Sequence, residues 1–294
     1  MSQTIDINII SGSRDKSIKL WNIQNSILDN VSTIGSHQGW VYSVDISPDK
    51  SKLISGSDVT SGSVKIWDMN NFQVMKEYDN HRVRNALFSP DGKNIIYSGN
   101  SVYIYDLESD KPVLEKFATQ KWPIRYLSYS PDGRMFAISS GKCAKIYDIR
   151  SSEKIKQFEF TDNVQSFSFS PDMNQFVTGD NNEMLSFWDF RTDELIVSHN
   201  HNDGIHIYSI NYSRDGKYVI SGDQMGQINM WNSTTCEFLK TFKQKGYVSE
   251  VKFIDNNTFV SGSYQNNVNL WNTDSGKIMT LSDHTECVEC VCFF

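Results

Sequence analysis

Ile10-Ser11-Gly12-Ser13-Arg14-Asp15-Lys16-Ser17-Ile18-Lys19-Leu20-Trp21-Asn22 is the stretch that decides the fold. Two short apolar runs flank a turn-prone Arg-Asp-Lys, and the second run ends on an aromatic residue. Alternation with a period of two is what a half-buried strand requires. Ser63-Val64-Lys65-Ile66-Trp67-Asp68 repeats the second half of the pattern. Working outward, the aromatic residue that closes such a run stands at Trp21, Trp67, Tyr105, Tyr147, Trp188, Trp231 and Trp271, at spacings of 46, 38, 42, 41, 43 and 40. A fixed period near 40 residues means that one supersecondary unit is repeated and stacked. There are seven copies.

Each copy carries four short alternating segments. Around Trp188 these are Val164–Phe169, Gln175–Thr178, Met184–Trp188 and Glu194–Ser198. A Ser-Pro-Asp turn follows the first segment at Ser47, Ser89, Ser130 and Ser170, and degenerates to Ser213-Arg214-Asp215. Proline presets φ for the second position of a tight turn, and the residues after it tolerate the rest. No long stretch has a 3.6-residue period, so helices should be nearly absent. A four-stranded sheet cannot cover both of its faces alone, and such units pack face to face in a ring. The expected fold is therefore all-β: a seven-bladed β-propeller of four-stranded antiparallel blades, one domain over residues 1–294. The register starts in a second strand near Asp6–Ser11 and ends in a first strand near Cys287–Phe293, so blade 1 should combine about 5–34 with 285–294. An alternative is that the sequence, ending at Cys292-Phe293-Phe294, is a piece of a longer protein.

The quoted segments resemble the third-strand signature of WD-repeat propellers, and the resemblance extends over essentially the whole chain. Trp-Asp survives at Trp67-Asp68 and Trp188-Asp189, with Tyr-Asp at Tyr105-Asp106 and Tyr147-Asp148. The resemblance implies a hydrogen-bonded set of His, Ser or Thr, Asp and Trp in a blade. Ser11, Asp15 and Trp21 have its spacing, and the His for that blade would be His284, from the far end of the sequence. Ser221 and Ser261 have Met225 and Gln265 where the Asp is expected, so their blades must be satisfied differently.

Apolar residues make up 38 % and charged residues 21 % of the 294, enough for a packed core. The formal charge of −7 argues against broad attraction to nucleic acid or anionic membrane, although a local basic patch still acts within a Debye length. Residues 1–12 lack a basic stretch followed by an apolar run, and nowhere do 18 apolar residues follow one another. The expected address is the cytoplasm or the nucleus, without membrane insertion. Five cysteines in such a chain read as reduced thiols.

Catalysis needs a nucleophile beside a base, paired carboxylates in a cleft, or a metal with an open position. The sequence offers only isolated Asp45 and Glu250, so no enzyme activity, catalytic residue or cofactor is expected. Cys287, Cys290 and Cys292 lack the second ligand pair of a zinc site, and His199, His201 and His206 have no tuned carboxylate beside them. No metal is expected, and Cys290 and Cys292 should face the central channel as inert thiols.

The resemblance implies that the loops before each first strand, and those joining second to third strands, build the usual docking face. Aligning the first strands puts Trp40, Arg82, Pro123, Asn163, His206, Tyr247 and Cys287 on its rim. Two positions on come Tyr42, Arg84, Arg125, Gln165, Tyr208, Ser249 and Glu289. Trp, Tyr and Arg dominate interface hot spots, and Arg pairs bidentately with carboxylate or phosphate. The expected partner-binding residues are Trp40, Tyr42, Arg82, Arg84, Trp122, Arg125, His206 and Tyr247. The expected partners are proteins, met through acidic or phosphorylated segments, for a scaffold that assembles a multiprotein complex. The alternative is a ribonucleoprotein assembly factor that uses the same basic and aromatic patch together with Lys121.

Overall fold

The computed structural model describes residues 6–58, 63–78, 82–117, 121–200 and 205–294. Strands β1 (Ile7–Ser13), β2 (Ser17–Gln24) and β3 (Ile27–Ser36) open the chain. They are followed by β4 to β7 over 41–78, β8 to β11 over 85–117, β12 to β15 over 124–159, β16 to β19 over 164–200, β20 to β23 over 207–243, and β24 to β27 over 248–282. Strand β28 (Val288–Phe293) comes last. Among the described residues the sheets are seven, each four-stranded and antiparallel, and six of them take four consecutive strands in order. No helix occurs among the described residues.

The seventh sheet has the order β28-β1-β2-β3. Ile9 pairs with Phe293 and Ile10 with Cys292, so the two ends of the sequence share a blade and close the propeller. Phe294 N–H adds a bond to Asn8 O at 3.0 Å.

Alternation gives each blade two apolar faces, and each face finds its partner in the next blade. One side of blade 1 (Ile7, Ile9, Trp21, Ile23) packs on Val260, Val268 and Leu270 of blade 7. The other (Ile10, Ile18, Leu20) packs on Val41, Val44, Leu53 and Trp67 of blade 2. Equivalent layers join blades 2 and 3, 3 and 4, 4 and 5, 5 and 6, and 6 and 7. Burying a Val, Leu, Ile or Phe side chain stabilises by about 1.5–3 kcal/mol, so these layers hold the ring.

The Ser-Gly motifs at the ends of second strands have a packing cause. A Cβ on Gly222 would stand 2.4 Å from Val248 Cγ1, on the inner strand of the next blade. Only a residue without a side chain lets the blades approach that closely.

The second strand of the Trp188 blade runs Gln175–Asp180, two residues longer than alternation suggests. Gly179 still pairs with Leu185, and Asp180 ends the strand by accepting the N–H groups of Asn182 and Met184, both at 2.9 Å.

Candidate functional site

The inner strand of each blade has no ladder partner on its channel side, so its N–H and C=O groups need acceptors and donors from elsewhere. Side chains of the preceding blade supply them. Ser43 Oγ accepts from Ala86 N–H at 3.0 Å, and Asp45 Oδ2 from Phe88 N–H at 2.9 Å. Ser209 Oγ and Asn211 Oδ1 do the same for Val251 and Phe253. These side chains thus reach sideways into the neighbouring strand.

The same device holds the closing strand. Glu250 Oε2 accepts from Val291 N–H at 2.7 Å while Lys252 Nζ donates to Val291 O at 2.9 Å, and the two side chains form an ion pair at 3.0 Å. Glu250 is therefore not the isolated carboxylate that the sequence suggested. Burial pushes Asp45 up to about 6, against the pull of Lys252 and the Phe88 N–H. Cys290 and Cys292 are buried in the layer between blades 1 and 2 rather than presented to a channel. The Cys290 thiol lies 3.8 Å from Val41 O, and burial pushes both thiols up. Among the described residues, no three His, Cys, Asp or Glu side chains converge to hold a metal.

The set spanning the two ends of blade 1 is assembled in full. Trp21 Nε1–H donates to Ser11 Oγ at 2.7 Å, and Ser11 Oγ lies 2.8 Å from His284 Nε2. His284 Nδ1 is 2.8 Å from Asp15 Oδ2. A carboxylate only accepts, so Nδ1–H donates to Asp15. Burial opposes the ionised Asp15, but the bonds from His284 and Ser17 win and hold its carboxyl well below the usual range. In blade 7, Gln244 stands in for the His: its Oε1 accepts from Ser261 Oγ at 2.6 Å, and Trp271 Nε1 donates to Ser261 Oγ at 2.8 Å. Blades 3 and 4, where the Trp is replaced by Tyr105 and Tyr147, put Tyr97 and Ile138 in the serine's place; Tyr105 stacks on Tyr97, and Tyr147 stacks on Phe136 as Trp188 and Trp271 stack on Phe176 and Phe259.

At one mouth of the ring lies a hollow of about 330 Å³. Tyr42, Arg125, Gln165, Tyr208, Ser249 and Glu289, each from an inner strand, and Arg84, immediately before β8, all line it. Six of them are second in their strands and Arg84 directly precedes its own, out of step with the packed residues, and this turns them inward. Trp40, Arg82, Trp122, His206 and Tyr247 do not line it. Trp122 is 59 % exposed and rests against the Gly141 turn. Arg82 sits exposed with a left-handed backbone (φ 52°). His206 and Tyr247 belong to an aromatic arc on the rim: His206 stacks on Tyr208, which stacks on Tyr247, which tilts against Tyr264. His199 bonds to Cys236 O at 2.7 Å, and His201 lies outside the described residues.

Two mouth residues were not picked out from the sequence, Arg14 and Tyr264. Each is the first residue after a second strand, a position filled elsewhere by Asp58, Gly99, Gly141, Asn181 and Gln224. Bulk at that aligned position was the available signal. The Arg14 guanidinium lies between the Trp40 ring, 4.5 Å from its centroid, and the Tyr264 ring, 4.7 Å away. It donates to Tyr264 Oη at 2.5 Å and pairs with Glu289. Arg84 stacks over Tyr42 at 4.9 Å. Among the described residues neither Arg84 nor Arg125 has a carboxylate within ion-pair distance. Partial burial and then the charge of Arg84 pull the Arg125 pKa down, as expected for two cations facing one hollow.

Comparison with known proteins agrees with this architecture. The WD domain, G-beta repeat family matches at residues 4–22, 28–68, 152–189, 193–232 and 236–272. The chain is similar to the serine-threonine kinase receptor-associated protein of Gallus gallus, 25 % identical over 228 residues, which is 76 % of this chain and 63 % of the relative. It is similar to Protein SOF1 of Saccharomyces cerevisiae, 23 % identical over 81 % of this chain and 52 % of the relative. The small ribosomal subunit protein RACK1y of Oryza sativa is 34 % identical over 42 % of this chain and 38 % of the relative. The match therefore spans less than two thirds of each of these relatives. Propellers of this kind generally act as protein-interaction scaffolds, and this chain belongs to the WD40 repeat family.

Proposed function

We propose that the chain is a non-enzymatic scaffold that assembles a multiprotein complex by docking an acidic or phosphorylated segment of a partner at the mouth of the propeller. The observation that carries this reading is the pair Arg84 and Arg125, two cations in one hollow with no carboxylate ion-paired to them among the described residues. Around them Tyr42, Tyr208, Tyr247 and Trp40 offer aromatic area of the kind that anchors interfaces. The rest of the partner segment would lie along that arc. The site offers hydrogen bonds and charge, and the scaffold does its work by bringing partners together.

Affinity capture with the wild-type chain, compared with an Arg84→Glu, Arg125→Glu double variant and with Arg82→Glu, tests this. The double variant is expected to lose at least tenfold of its specific partners while Arg82→Glu keeps them. Equal recovery by all three removes the mouth as the docking site.

A second reading is ribonucleoprotein assembly, favoured by the similarity to a protein named as a ribosomal subunit component and by the aromatic and basic character of the arc. It predicts capture that falls steeply with salt and disappears on ribonuclease treatment.

A further inference from the structure

The charges at the mouth do not count equally. Arg14 is already committed: Glu289 pairs with it, Tyr264 Oη accepts from it, and two rings cover its faces. Glu250 and Lys252, deeper down, cancel each other while holding Val291. Beyond the Arg14–Glu289 pair, what faces the hollow is two positive charges, Arg84, which also feels Glu289, and Arg125, beside the neutral side chains of Asn85, Gln165 and Ser209. A carboxylate carries one charge and would leave one arginine unmatched in a half-enclosed place. A phosphate monoester carries about 1.5–2 negative charges at neutral pH, with three acceptor oxygens for the forked donors of two guanidiniums. A run of phosphates, by contrast, would bring further negative charge toward Glu289.

We infer that the mouth is a single-phosphate pocket that selects one phosphorylated side chain of a partner protein over an acidic side chain, with Arg84 and Arg125 as its two ligands to the phosphoryl oxygens. This rests on the docking reading above and narrows it to a ligand class. The hollow of about 330 Å³ takes one such side chain, and the neighbouring residues of the partner would run outward over the Trp40 and Tyr42 rings.

The test is calorimetric titration of the full chain with O-phosphoserine, glutamate, inorganic phosphate and a single-stranded oligouridylate. Each is measured at pH 7.5 and 5.5, on wild type, Arg84→Gln, Arg125→Gln and Arg82→Gln. O-phosphoserine is expected to bind at least tenfold more tightly than glutamate or inorganic phosphate, and about fourfold more weakly at pH 5.5, because the second phosphate pKa is near 6. Arg84→Gln or Arg125→Gln should each cost at least tenfold, with Arg82→Gln unchanged and all variants showing the same circular dichroism. Glutamate matching O-phosphoserine, loss of the pH dependence, inorganic phosphate binding as tightly, or tighter binding of the oligonucleotide would each overturn it. If the captured partners are lost on mutating Arg84 and Arg125 yet survive phosphatase treatment, the docking reading stands and the phosphate pocket falls.

Discussion

At the scale of single residues, Asp45 shows how a side chain can be structurally useful and electrostatically costly at once. Its carboxylate caps Phe88 N–H, but burial raises its pKa to about 6, above the ordinary carboxylate value near 3.9. A group raised in the folded state binds its proton more tightly there than in the unfolded chain. Its contribution to stability is therefore fully present below about pH 4 and is lost as pH rises through about 6. Asp45→Asn keeps a carbonyl oxygen for the Phe88 N–H and removes the titration. Denaturant melts between pH 4.5 and 7.5 should show the variant gaining about 1–2 kcal/mol over wild type at the upper end, with little difference at the lower. A difference that ran the other way with pH would mean that Lys252 outweighs burial at this carboxylate.

At the scale of elements, strand β28 is held from both edges: β1 supplies its ladder, and Glu250 with Lys252 supplies the missing bonds on the channel side. Removing one member of a largely buried pair leaves the other charge uncompensated, whereas replacing both by apolar groups of similar size is close to neutral. Lys252→Met should therefore cost about 3 kcal/mol in chemical denaturation, and the Glu250→Leu, Lys252→Met double variant clearly less. Equal costs for the two would show that the bonds to Val291, not the pairing of charges, dominate. The strands themselves were legible from the alternation alone, because a pleated strand with two packed faces leaves a period of two in the sequence. Tyr42, Arg84 and Arg125 were legible at the mouth for the same reason, as aligned first-strand positions. The sideways reach of Ser43, Asp45, Glu250 and Lys252 was not, since it depends on how far one blade is rotated against the next, which no spacing within a blade records. The cage of Arg14 was missed because its rings come from blades 2 and 7 and its carboxylate from β28.

At the scale of the whole molecule, the ring is a chain of seven apolar layers with no end, and what distinguishes one layer from another is where the backbone crosses it. Six blades are continuous, while blade 1 is stitched from the two ends of the sequence, so opening the ring anywhere must also strip β28 from β1. That coupling can be removed without removing a contact. Phe294 N–H bonds to Asn8 O, so a short glycine-serine linker can join residue 294 to residue 6, with new ends opened in the connection between Ser36 and Val41. Every blade of such a permutant is continuous, and blades 1 and 2 meet through their apolar layer with no covalent link across it. Loop-closure entropy changes little with such a rearrangement, so equilibrium stability should stay within about 1 kcal/mol of the parent. The barrier to unfolding should fall, because blade 1 no longer has to come apart internally before the ring opens. Stopped-flow unfolding in denaturant is expected to run at least tenfold faster for the permutant, at unchanged circular dichroism. An unfolding rate equal to that of the parent would mean that stripping β28 from β1 is no part of the rate-limiting step, and that the shared blade adds nothing to the kinetic lock.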